Sequence, residues 1–126
     1  MNSSIIKKLL AIVLIGFFSQ IALADNAMSA KTIAGILVGL NHFPSDSDKT
    51  ALMAIAEDDS NGRAYRAVAT AVSNIQHGAT DADKEILNRI IASDQAPDEV
   101  KALAEVVVGL MHSASGDAKE TLQALL

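Results

Sequence analysis

The chain's only three histidines are His42, His77 and His112, each 35 residues from the next, and a fixed period constrains the fold before local propensity does. Setting the sequence in register on them brings other columns into agreement. Nine residues before each histidine stand Ile33, Val68 and Leu103, and eight before stand Ala34, Ala69 and Ala104. Five before come Leu37, Val72 and Val107, and two before come Leu40, Ile75 and Leu110. Three residues after each is a hydroxyl (Ser45, Thr80, Ser115) and seven after is a lysine (Lys49, Lys84, Lys119). Leu52, Leu87 and Leu122, then Ile55, Ile90 and Leu125, complete the pattern.

Within each unit the apolar columns recur at intervals of three and four, the period of an amphipathic helix and not of a strand. Each unit therefore holds two helices. The first runs toward the histidine and is expected to stop near Phe43-Pro44, Gly78 or Ser113, because proline forbids continuation and glycine suits the left-handed residue beyond a helix. The second opens at the hydroxyl column. Ser45-Asp46-Ser47-Asp48 and Thr80-Asp81-Ala82-Asp83 offer an N-cap oxygen and first-turn carboxylates, which suit exposed amides and the positive helix end. Asp58 to Gly62 and Ser93 to Pro97 link the units.

The expected fold is thus all-α: three hairpins, units about 29–63, 64–98 and 99–126, stacked as a short α-solenoid or bundle. The period is similar to that of tetratricopeptide-like arrays, whose repeating aromatic positions are missing. Small alanine columns allow close helix approach, so a large cofactor pocket is not expected. The last helix offers Leu122, Leu125 and Leu126 where a terminal repeat normally turns a polar face outward, which predicts cover by a second copy, a homodimer through the C-terminal helix.

Residues 1–24 read as a secretory signal: Lys7 and Lys8, an apolar run from Leu9 to Phe18, and the small-x-small site Ala22-Leu23-Ala24. No cysteine follows, which excludes lipid modification there as well as disulfides, thiolate zinc sites and thiol nucleophiles. The mature chain is expected in the periplasm or outside the cell, without stable membrane association. The formal charge is −5, and removing two lysines and no acid leaves eight basic against fifteen acidic residues, −7 on a chain starting at Asp25. That balance disfavours nucleic acid and anionic membranes.

Among candidate sites the histidine column is the sharpest. Equivalent positions in stacked hairpins lie about 10 Å apart, too far for three nitrogens to meet one ion at about 2 Å. The column is therefore read first as helix capping, with each histidine in the last turn bonding free carbonyls. Lys49, Lys84 and Lys119 read as solvated partners of acids such as Asp46 and Glu85. Glu57-Asp58-Asp59-Ser60-Asn61-Gly62 resembles half a calcium loop, but Val68 stands where its closing glutamate should be, so it reads as a turn. Phe43 is a contact candidate at a hairpin tip, and Tyr65 a partly buried packing residue. No phosphate loop, GxSxG elbow or HExxH is present.

The leading expectation is a non-enzymatic exported repeat protein, without cofactor, that binds an unknown protein or peptide through tips carrying His42, Phe43, His77 and His112. The alternative is a metal- or haem-binding protein that uses the histidine column.

Overall fold

The computed structural model describes residues 26–126, so the expected signal segment 1–24 and its cleavage site lie outside the described residues. Among the described residues there are six helices and no strand: α1 (26–39), α2 (Asp46–Glu57), α3 (Arg63–Ser73), α4 (Asp81–Ala92), α5 (Asp98–Gly109) and α6 (Gly116–Ala124). None is long and apolar enough to cross a membrane. The links between α2 and α3 and between α4 and α5 fall on Asp58 to Gly62 and Ser93 to Pro97, as the turn residues indicated.

The helix starts follow from side-chain oxygens. Ser45, Thr80 and Ser115 cap α2, α4 and α6, each accepting from the backbone N–H three residues on, at Asp48, Asp83 and Ala118. Such a bond satisfies one of the amides a helix start leaves free, and losing it typically costs about 1 kcal/mol. The lysine column has a backbone role here: the N–H groups of Lys49, Lys84 and Lys119 donate to the carbonyls of Ser45, Thr80 and Ser115, closing the first turn. The expected lysine–acid pairs do not form. Ion pairs among the described residues join Arg66 to Asp59 at 3.3 Å and Arg89 to Glu85 at 2.9 Å, Arg89 lying one helical turn beyond Glu85.

Odd-numbered helices supply most of the core. Ala30, Ile33, Ala34 and Leu37 on α1, Tyr65, Val68, Ala69 and Val72 on α3, and Val100, Leu103, Ala104 and Val107 on α5 are all buried. Their spacing of three and four puts each set on one face. The even-numbered helices lie outside, each pinned by one fully buried leucine: Leu52, Leu87 or Leu122. α2 packs chiefly on α3 and α4 on α5, so these two outer helices lean on the inner helix that follows each.

The chain's end extends that arrangement to α1. A Cβ placed on Gly35 of α1 would lie 3.9 Å from Leu126 Cδ2, Leu122 is 0 % exposed, and Leu125 packs against the core. Leu122 and Leu125 at the apolar end of α6 thus have cover within their own chain, while Leu126 stays about half-exposed. The reason is that α1 reaches the last unit, which a linear stack would keep away from the first.

Polar ties fix the starts of the inner helices. Gly62 N–H donates to Asn26 Oδ1 at 2.8 Å, and Ser29 Oγ to the buried Asn61 Oδ1 at 2.7 Å. Asn61 Nδ2 in turn donates to Ile55 O, so the half-calcium loop is a turn closed by its own polar groups, with Asp58 accepting from Ser60 N and Oγ. Those bonds hold the Asp58 carboxyl below the usual aspartate range. Tyr65 Oη donates to Glu99 Oε1 at 3.0 Å, tying α3 to α5; burial first, then this acceptor, pushes its phenol well above the ordinary tyrosine range.

Candidate metal centre

The inner helices stop earlier than proline and glycine placement suggested, at residues 39, 73 and 109. Beyond each end a buried aliphatic side chain, Leu40, Ile75 or Leu110, anchors the chain, and its N–H folds back on the carbonyl three residues before. The chain then turns at the histidine. His42, His77 and His112 have φ of 69°, 68° and 64°, the left-handed region that L residues seldom enter, although histidine is among the types found there more often. Around His42 and His112 the turn spans three residues: Phe43 N–H donates to Asn41 O at 2.8 Å, and Ser113 N–H to Met111 O at 2.7 Å.

This overturns two readings of the sequence. The left-handed residue is the histidine and not Gly78, whose φ is not positive; what Gly78 allows is close approach, since a Cβ there would stand 3.2 Å from Leu110 O. The histidines also do not cap helices. They lie beyond the last turn, and their backbone groups bond one another.

The bonds run in a ring. His42 N–H donates to His112 O at 2.6 Å, His77 N–H to His42 O at 2.6 Å, and His112 N–H to His77 O at 2.5 Å. First and third units thus meet directly. The separation of about 10 Å expected from stacked packing does not occur, because these bonds draw the three tips together.

Convergence of the backbones carries the imidazoles with it. Nδ1 of His42 lies 3.2 Å from Nδ1 of His77 and 3.1 Å from that of His112, and the remaining pair is 3.1 Å apart. The ring centroids are 5.0 to 5.1 Å apart and the planes cross at 68° to 76°, a propeller of three blades. All three residues are exposed.

Hydrogen bonding alone does not satisfy this triangle. An imidazole nitrogen carries either one proton or one lone pair, so three mutually adjacent nitrogens always include one pair of like kind. A cation held by all three Nδ1 lone pairs would resolve the conflict. Nitrogens at 3.1 to 3.2 Å lie about 1.8 Å from their common centre, so the triangle could accept an ion with bonds of about 2.05 Å, which would sit about 1 Å out of the nitrogen plane. The resulting N–metal–N angle is about 100°, between the octahedral and tetrahedral values.

Two large apolar side chains flank this centre. Phe43 is 60 % exposed beside His42, and Met111, which composition did not single out, is 77 % exposed beside His112. Tyr65 lies far along the inner helix, at the start of α3. There an open groove of about 560 Å³ is lined by Arg63, Tyr65, Arg89, Ile90 and Pro97. No protein-family model, curated protein or solved structure matches the chain.

Proposed function

We propose that this protein binds one divalent transition-metal ion per chain through Nδ1 of His42, His77 and His112. The observation that carries the reading is the triangle of Nδ1 atoms 3.1 to 3.2 Å on a side, built on three left-handed residues. Left-handed backbone at a non-glycine residue costs on the order of 1–3 kcal/mol and persists where the surroundings enforce it, commonly at functional sites. Three imidazoles without thiolate or carboxylate suit zinc, copper, nickel or cobalt better than calcium or magnesium, which prefer oxygen. A bare ion fits better than haem, because three nitrogens crowd one face of the centre whereas haem iron takes its protein ligands along a single axis.

The architecture we infer to go with it is three equivalent hairpins closed about an approximate threefold axis, with the histidines on that axis. The ring of backbone bonds and the approach of Leu126 to Gly35 support closure. We place the function outside the cytoplasm, on the strength of the export-signal pattern in residues 1–24, and read it as non-enzymatic. A second reading, docking of another protein at the same tip, is favoured by exposed Phe43 and Met111.

Native mass spectrometry of the mature chain with added zinc tests the proposal. One zinc per chain is expected, with its loss in each of His42→Ala, His77→Ala and His112→Ala while folded charge states persist. Equal zinc uptake by the three variants would overturn it.

A further inference from the structure

Resting on the metal reading, we infer that the bound ion keeps coordination positions open and takes a small exogenous ligand there, water at rest and a small anion in exchange. The three nitrogens occupy one face of the ion. With N–metal–N angles of about 100°, the opposite hemisphere holds one further position in a tetrahedral centre and three in an octahedral one.

The chain offers little to fill them. The metal-competent group among the described residues consists of His42, His77 and His112 alone, with no Asp or Glu in the cluster, and the chain has no cysteine. The histidines and the neighbouring Asn41, Phe43, Gln76, Met111 and Ser113 are all exposed, so the site opens to solvent. A centre with three protein ligands and solvent in the remaining position is the pattern of open zinc sites, whereas structural zinc sites close all four.

Charge selects the ligand class. A ligating imidazole is unprotonated at the bonding nitrogen and therefore neutral, so three of them leave the ion's two positive charges uncompensated. A small monodentate anion supplies part of that charge. In the exchange the metal–water bond breaks, water leaves, and a bond from the anion to the metal forms, with no change of oxidation state.

Cobalt(II), whose visible bands report coordination number and ligand type, is the probe. The mature chain is loaded with one equivalent and titrated with azide, while dialysis follows the bound metal. A saturable change in the bands with cobalt still at one per chain is the expected result. Met111→Ala should show the same change, since the thioether is not assigned a ligand role. Bands that stay unchanged in excess azide, with cobalt still bound, would overturn the open position and leave the metal site standing. Failure to bind cobalt, nickel, copper and zinc would overturn both.

Discussion

Substituting His77 by alanine and by glycine separates the backbone's part in the site from the imidazole's. Both changes remove the ring, but only alanine retains the penalty of φ at 68°. An L residue in left-handed backbone is disfavoured by about 1–2 kcal/mol. Glycine is free of that penalty but loses about 0.5–1 kcal/mol to its greater freedom in the unfolded chain. The difference favours His77→Gly over His77→Ala by about 0.5–1 kcal/mol, or about 2 to 8 °C in Tm for a domain near 100 residues. Thermal unfolding by circular dichroism with a chelator present measures it, and the same order is expected at His42 and His112, whose φ values are 69° and 64°. Free zinc at about 100 times Kd would stabilise the parent by about 2.7 kcal/mol, an increment both variants should lose. Alanine variants as stable as glycine variants at all three positions would refute the left-handed turns, and with them the reason the rings converge.

Leu122→Ala is expected to cost about 3–5 kcal/mol, as for a fully buried leucine, and a loss below about 1 kcal/mol in denaturant titration would show that α6 is not covered within its own chain. Thr80→Ala should cost about 1 kcal/mol through the cap bond to Asp83 N–H, with Thr80→Ser restoring most of it. Tyr65 is the only tyrosine and the chain has no tryptophan, so its ionisation can be followed by absorbance alone. Its phenol is held above the ordinary range, so the folded state favours the neutral form. The resulting stability is present below the unfolded value of about 10 and is lost as pH rises beyond it. Tyr65→Phe should flatten that alkaline loss, and an ionisation midpoint at the ordinary value would contradict the part-buried bond to Glu99.

The helices and their core faces were legible because burial of an amphipathic helix is written locally. Ile33, Val68 and Leu103 occupy equivalent positions on it, and the hydroxyl caps and interhelix turns are local chemistry too. What the period did not contain is its curvature. A repeat of 35 residues fits hairpins in a row as well as hairpins in a circle, and the choice depends on small rotations between units that no single column encodes. That choice decided the site. In a row His42 and His112 would be the most distant pair, whereas their Nδ1 atoms stand 3.1 Å apart. The left-handed turn was also hidden, since Gly78 drew attention one residue away from His77, where the positive φ lies.

Zinc K-edge X-ray absorption on the one-to-one complex tests the central claim most directly. Three imidazole nitrogens at about 2.0–2.1 Å, completed by a light scatterer from solvent, are the predicted shell. A shell with one imidazole or none would contradict the convergence of His42, His77 and His112 on a single ion.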